Sequence, residues 1–428
     1  MEDQEKENFD FIREKIKEKP LNKKRMLKQG VFTLAMAVMF GVVACGVFTY
    51  MQPMMDSWMH PKVNTPITIP EDEIATETEE TEPKEEEVPP PEPAVPETTI
   101  VKKELELTDY QALQNKIYAV GKEKNSSIVT VTGVVSDTDW YNNAYESKGQ
   151  ASGIIIGDNN KELLILTEHK VILGAEEISV TFMNEVTVRA ELKKYDGNTG
   201  LAMLSVSLEE LDESTKNSIS YAVLGNSLSL AQGNVVIAVG SPLGTNYSIA
   251  AGNITSVSNE IHTVDNTYKV LTTDIVGSKN SSGALLNLNG EVVGLVMQDY
   301  SSTSDENTLT AVSISELKKL IEMLSNGKDI PYLGLKVVTA TERISREYDI
   351  PQGVYIMEVV LDSPALWAGL QTGDVITEMD GEEITSVDAY ETKVLSLKPG
   401  DSIEIAVKRQ GMEEYSRVEC TVTAGKLE

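Results

Sequence analysis

Histidine and cysteine, the side chains best suited to move protons or attack carbonyls near neutral pH, are few in this chain. In 428 residues there are three histidines, His60, His169 and His262, and two cysteines, Cys45 and Cys420. No Cys/His cluster has metal-ligand spacing, so no metal and no cofactor is expected. Cys45 sits in an apolar run and Cys420 near the C-terminus, which makes a structural disulfide between them implausible. A serine hydroxyl is a poor nucleophile near neutral pH unless a base adjoins it.

The elements that must position them begin well inside the chain. Residues 1–28 form a charged tail ending in Lys23, Lys24, Arg25 and Lys28, and no residue from Gln29 to Met55 is charged. About 20 apolar residues at 1.5 Å each span a bilayer core, so 29–52 is predicted to be a transmembrane helix. The basic cluster before it keeps that end in the cytoplasm and places the rest outside, in a single-pass arrangement of the bacterial type. A cleaved signal peptide fits less well, because the run is long and no small-x-small site follows it. Val42-Val43-Ala44-Cys45 loosely resembles a lipoprotein cleavage box, which would lipidate Cys45, but the residues after it stay apolar.

Residues 53–106 read as an acidic, Pro-rich stalk. Between Glu71 and Glu97 there are about twelve carboxylates against one basic residue, Lys84. Such a segment has little apolar surface with which to offset its ordering entropy, so it is predicted to be a spacer that carries no core. The formal net charge of -30 excludes nucleic acid as a partner, since phosphate binding needs clustered Lys and Arg.

From Leu107 the pattern changes. A helical stretch to about Lys122, with Thr108 or Asp109 as cap, precedes short β-branched runs such as Ile128–Val131, Ile154–Ile156, Leu164–Thr167 and Val235–Ala238. Asp196 falls in a loop between such runs and reads as a solvated turn residue. A helix from Ser313 or Ser315 through Ile321 closes this region, 107–328, and a smaller mixed domain fills 329–428.

Four strings in this region, in order and with the spacing held over about 200 residues, resemble the HtrA/Deg proteases. They are Ser152-Gly153-Ile154-Ile155-Ile156 with Ile165-Leu166-Thr167, Gly240-Ser241-Pro242-Leu243-Gly244, Asn280-Ser281-Ser282-Gly283-Ala284-Leu285, and Asn287–Leu295. The resemblance implies a mainly β fold, a trypsin-like double β-barrel plus a C-terminal PDZ domain. It also implies a Ser-His-Asp triad between the barrels, whose members must be checked position by position.

Aligned on Ala284-Leu285-Leu286-Asn287, the nucleophile position is Ser281, whereas counting from Asp274 points to Ser282. The histidine position holds Lys170. His169 is its neighbour, but a one-residue slip in a helical turn redirects a side chain by about 100°. The aspartate position holds Gly200. In the oxyanion loop, Lys279 stands where the family has the donor glycine, followed by Asn280 and Ser281. Losing one oxyanion donor costs on the order of 10²–10³ in rate, and triad members act as a unit. The triad therefore reads as degenerate. The rescue would be Ser281 with His169 or Lys170 as base, the lysine needing a dry site and a depressed pKa.

In the last domain Tyr332-Leu333-Gly334-Leu335 resembles the carboxylate-binding loop of bacterial PDZ domains, and Asp362-Ser363-Pro364-Ala365, Ala368-Gly369-Leu370 and Gly373-Asp374-Val375-Ile376 continue the pattern. Such a domain takes an extended peptide by strand addition. The expectation is an inactive, membrane-anchored HtrA-like protein that binds unfolded or C-terminal peptide segments in envelope quality control. An active serine endopeptidase and a PDZ adaptor with the barrels as scaffold are the alternatives. The resemblance also implies a homo-trimer.

Overall fold

The computed structural model describes residues 23–59, 65–72, 106–138, 144–301, 307–412 and 414–427. The tail before Lys23, the spacer from 73 to 105 and His60 lie outside the described residues. The chain divides into two compact units, Met1–Val63 and Asn64–Glu428.

In the first unit a helix, α1 (Lys23–Met59), runs for 37 residues, longer at both ends than the predicted 29–52. Every described side chain from Val31 to Val47 is exposed. Among the described residues no helix is long and apolar enough to cross a membrane. The side chains of Gln29, Phe48 and Thr49, which flank that run, are outside the described set.

The second unit opens its β structure after α2 (Leu107–Lys124). The helix begins at Leu107, and its cap lies two or three residues before the Thr108 or Asp109 that the sequence offered. Glu106 is the N-cap, and the Asp109 carboxylate accepts its backbone N–H at 3.1 Å. The first barrel has six strands: β1 (Ile128–Thr138), β2 (Ala144–Asp158), β3 (Glu162–Glu168), β4 (Glu177–Thr181), β5 (Thr187–Tyr195) and β6 (Leu201–Ser207). They close in the order β1-β2-β3-β6-β5-β4. After α3 (Glu213–Ser218) comes the second barrel: β7 (Val235–Ser241), β8 (Ser248–His262), β9 (Thr267–Val276), β10 (Ser282–Leu286), β11 (Val292–Met297) and β12 (Thr308–Ser313). It closes as β10-β11-β12-β9-β8-β7, and α4 (Ile314–Ser325) follows.

The strand periodicity explains why both faces of β3 and β7 are apolar. Leu163 and Ile165 of β3 point into the first barrel's core, whereas Leu164 and Leu166 belong to the cluster between the barrels. In β7, Val236 and Ala238 fill the second barrel, and Ile237 and Val239 join that shared cluster. A period of two thus divides each strand between its own barrel and the seam.

The seam is tightest where Gly240 faces Gly283 across β7 and β10. Gly283 has φ +121°, and a Cβ there would lie 2.1 Å from the Val239 carbonyl oxygen. A Cβ on Gly240 would lie 2.8 Å from Ser152 Oγ of β2. Glycine is required here because two backbones and the neighbouring barrel meet at one point.

The last domain is a five-stranded path, β14 (Leu335–Ala340), β15 (Gly353–Val359), β16 (Val375–Met379), β18 (Ser402–Gln410) and β19 (Tyr415–Thr423), with β17 (Glu382–Glu383) on β16. A separate pair joins β13 (Pro331–Tyr332) to β20 (Gly425–Lys426). Helices α5 (Glu342–Tyr348), α6 (Pro364–Trp367) and α7 (Val387–Ser396) complete it. Its own core gathers Leu333, Val337, Ile356, Tyr390, Ile405 and Val422.

Three readings of the sequence are corrected here. The stalk is not all spacer. Residues 65–72 lie along α4, where Ile67 exchanges hydrogen bonds with the Asn326 side chain at 3.0 and 2.8 Å, and Ile67 and Ile69 pack against the shared core. Asp72 forms an almost buried ion pair with Lys318 at 2.7 Å. Two isoleucines and one carboxylate suffice because α4 offers them a half-built groove. Ser313 and Ser315 do not cap α4 with their side chains. The Ser313 hydroxyl lies 2.6 Å from that of Ser227, and Ser315 Oγ donates to Asp72 at 2.6 Å. Asp196 is a turn residue but a buried one. Its carboxylate accepts the Thr199 N–H at 3.0 Å and the Thr199 hydroxyl at 2.5 Å, bonds that replace water.

Candidate functional site

The loop after β3 carries His169 and Lys170, and two facing glycines of β1 and β2 set its depth. A Cβ on Gly133 or Gly149 would strike the Val171 carbonyl oxygen, at 2.4 or 2.7 Å. Within that loop Lys170 is held by two carboxylates, Glu168 at 2.7 Å and Asp299 at 3.0 Å. Burial works against its charge, but the two carboxylates outweigh it and raise the pKa of the ammonium. A raised pKa is the opposite of what a lysine base requires.

Glu168 is itself buried. Burial pushes its carboxyl above the ordinary range, and its Oε1 has no hydrogen-bond partner. The lysine is therefore the counter-ion of a buried acid. His169 turns the other way and stacks on Tyr195, with ring centroids 4.0 Å apart and planes 8° from parallel. Its partial burial lowers the imidazole pKa, favouring the neutral ring. Its backbone N–H donates to the Gly200 carbonyl at 2.7 Å, so the loops bearing residues 169 and 200 do meet. Gly200 itself sits at φ +74°.

The serine loop is closed on itself. Lys279 and Asn280 form an exposed turn, and the Ser281 N–H donates to the Ser278 carbonyl at 2.9 Å. The Ser281 side chain is only 1% exposed. Its hydroxyl donates to the Pro242 carbonyl at 2.6 Å and accepts the Ser278 N–H at 2.7 Å. Ser282, the other reading of the nucleophile position, opens β10. It is buried too, and its Oγ accepts the Ser152 N–H at 2.9 Å. The Ser281 hydroxyl thus ties two loops of the second barrel together, and that of Ser282 ties β10 to β2 across the seam, while Lys170 and His169 engage other partners. His262 ends β8 and pairs with the Thr267 hydroxyl at 3.1 Å.

The loop from Tyr332 to Leu335 has the backbone shape of a carboxylate cradle, and it holds a carboxylate. Asp265 Oδ2 accepts the N–H groups of Leu333 and Gly334 at 2.7 and 2.8 Å, and Oδ1 accepts that of Leu335 at 3.0 Å. The Tyr390 hydroxyl of α7 donates to Oδ1 at 2.7 Å. Burial pushes the Asp265 carboxyl above its ordinary range, although these four bonds pull it down. The sequence reading missed Asp265 and Tyr390. A lone Asp in Val264-Asp265-Asn266 reads as a hairpin turn, and nothing in one dimension links it to a loop 68 residues later.

Two closed six-stranded barrels joined at a glycine-lined seam, followed by a domain with a carboxylate cradle, define a trypsin-like peptidase fold coupled to a PDZ domain. The comparisons agree. A trypsin-like peptidase domain model matches residues 151–295 and a PDZ domain model matches 331–420. Serine protease Do-like HtrA of Lactobacillus helveticus is 31% identical over 294 residues, 65% of this chain and 70% of that protein. Serine protease Do-like HtrB of Bacillus subtilis is 30% identical over 66% of each chain. A probable periplasmic serine endoprotease DegP-like of Halomonas elongata is 31% identical, over 65% of this chain but 57% of its own length. The chain thus spans between 57% and 70% of these relatives. The solved structures of the HtrA-type protease AlgW with a decapeptide and with a tripeptide share the fold, at TM-score 0.53 and 24% identity, covering 72% of this chain. This protein belongs to the HtrA family of serine proteases and their homologues.

Proposed function

We propose that this chain is a membrane-anchored, extracytoplasmic HtrA homologue that does not cleave peptide bonds and binds exposed or unfolded polypeptide termini through its PDZ domain. One observation carries the inactivity. Both groups of Ser281 that would serve catalysis are consumed locally, the hydroxyl by Pro242 and Ser278 and the N–H by Ser278. A nucleophile needs a base within hydrogen-bond reach, and an oxyanion donor must point at empty space. The base position holds Lys170 with its proton secured by Glu168 and Asp299. The aspartate position holds Gly200, whose positive φ would strain any replacement.

The family relatives named as periplasmic support an extracytoplasmic, quality-control setting. The uncharged run from Gln29 to Met55, next to a basic cluster, supports anchoring. A family-like homo-trimer is supported by Leu107, Tyr110 and Leu113, which leave an exposed apolar stripe on one face of α2. The peptides in the AlgW structures support peptide binding as the retained role.

The test is cleavage of unfolded casein by the purified chain beside a Ser281→Ala control. We expect no difference between them, and no gain of activity in the double variant Lys170→His, Gly200→Asp. Casein cleavage that Ser281→Ala abolishes would overturn the proposal. His169→Ala and Lys170→Ala would then identify the base.

A further inference from the structure

The cradle of the PDZ domain is filled by the chain's own second barrel, and the way it is filled reproduces a bound peptide end. Asp265 sits at the tip of the β8–β9 hairpin in the left-handed region, at φ +60°. The hairpin is closed beneath it by the Thr263 N–H donating to the Asn266 carbonyl at 2.8 Å. Three consecutive N–H groups of the cradle converge on the two carboxylate oxygens. The Asp265 N–H in turn donates to the Leu335 carbonyl at 2.6 Å. That last bond is the one a peptide's terminal residue makes when it adds as a strand. A single residue thus supplies the carboxylate and the backbone donor of a C-terminus.

The remainder of the peptide track is not covered in this way. β14 is the edge strand of its sheet, and the hairpin leaves it after Leu335 rather than running along it. The hairpin is braced from both sides. The Asn198 side chain of the first barrel donates to the Val264 carbonyl at 2.8 Å, and the Thr267 N–H donates to the Glu391 carboxyl of α7.

We infer that Asp265 is an internal latch, a tethered surrogate C-terminus that holds the PDZ domain against the second barrel and must be displaced by any peptide that enters through a free α-carboxylate. This rests on the peptide-binding reading above. The latch makes the required ligand specific. A peptide that pairs only with the β14 edge leaves Asp265 in place, whereas one with a free carboxylate competes for the same three N–H groups. Because the competitor is tethered, its effective concentration is in the millimolar range or higher, so external peptides bind well below their intrinsic affinity. Release would free the hairpin and, through Asn198, the loop that carries Gly200.

The experiment uses the full chain in detergent, as wild type, Asp265→Ala and Tyr390→Phe, with thermal melting to establish that each is folded. Amide hydrogen exchange of Leu333, Gly334 and Leu335 is measured without ligand. A fluorescein-labelled decapeptide ending in a valine with a free carboxylate, and its amidated twin, are then titrated by anisotropy. We expect Asp265→Ala to speed exchange at those three amides at least tenfold. It should also tighten binding of the free-carboxylate peptide at least tenfold, leaving the amidated twin weak. Tyr390→Phe, which removes one of the four bonds to the carboxylate, should fall between. Unchanged exchange in Asp265→Ala overturns the latch whatever the peptide does. Faster exchange with equal binding of the free-carboxylate peptide to wild type and variant refutes its competition with ligand. Faster exchange with no binding of either peptide to any of the three proteins overturns the C-terminal peptide reading and leaves Asp265 as a structural tether.

Discussion

Replacing Asp72 by alanine tests whether the segment before the spacer is a structural part of the barrels. Lys318 is 4% exposed and its ammonium lies 2.7 Å from Asp72. At an effective dielectric of about 20, charges that close attract by about 6 kcal/mol. Most of that is offset by taking both groups out of water. Breaking such a pair from one side usually costs about 3–5 kcal/mol, because the remaining charge is left buried. Here the strap can lift and let water reach Lys318, so the lower end, about 3 kcal/mol, applies. Lys318→Met removes the buried charge itself and should cost less than about 1 kcal/mol, with Asp72 still partly able to reach solvent. In that background Asp72→Ala should cost only about 1 kcal/mol, mainly its bond from the Ser315 hydroxyl. The coupling between the two substitutions is therefore about 2 kcal/mol. The assay is urea unfolding of the full chain, followed by near-ultraviolet circular dichroism in wild type, both single variants and the double. A coupling below about 0.5 kcal/mol would mean that the strap is not docked and that the spacer reading holds through residue 72.

Two further outcomes follow from the seam and from the PDZ contact. Gly283→Ala should destabilise the barrels by about 3 kcal/mol or more, read as the shift of the same urea transition, because φ +121° disfavours a side chain and the added Cβ meets the Val239 carbonyl oxygen at 2.1 Å. An unchanged midpoint would show that the strands part without cost. Glu391 is pushed up to about 8, first by burial, then by Asp388, Glu316 and Glu260, with the Thr267 N–H pulling the other way. A carboxyl raised in the folded state holds a proton that the unfolded chain has lost. Its stabilisation is therefore present at low pH and is lost as pH rises from about 4.5 through about 8, by at most about 1.4 kcal/mol per unit. The melting temperature should fall across that window, and Glu391→Gln should flatten the fall, since its amide oxygen can still accept the Thr267 N–H. An identical pH profile in the variant would rule this out.

The architecture was legible in two steps. Short β-branched runs such as Leu164–Thr167 and Val235–Ala238, with turn signals between them, read as a sandwich or barrel, and the resemblance to the HtrA proteases made that a double barrel. The PDZ cradle was legible through resemblance as well, carried by the string Tyr332-Leu333-Gly334-Leu335. The resemblance also put Lys170 and Gly200 at the histidine and aspartate positions, the reading on which the proposed inactivity rests.

What the tertiary structure alone decided is which groups those residues face. Nothing near Lys170 in the chain announces Asp299, 129 positions away. The closing of the Ser281 hydroxyl onto Pro242 depends on how β7 and β10 end beside each other. Asp72 was one of about a dozen carboxylates of an acidic run until α4 brought Lys318 to it, and Asp265 went unread until the cradle folded over it. A charge's partner is set by where two distant elements pack, and a composition or a periodicity carries no record of that distance.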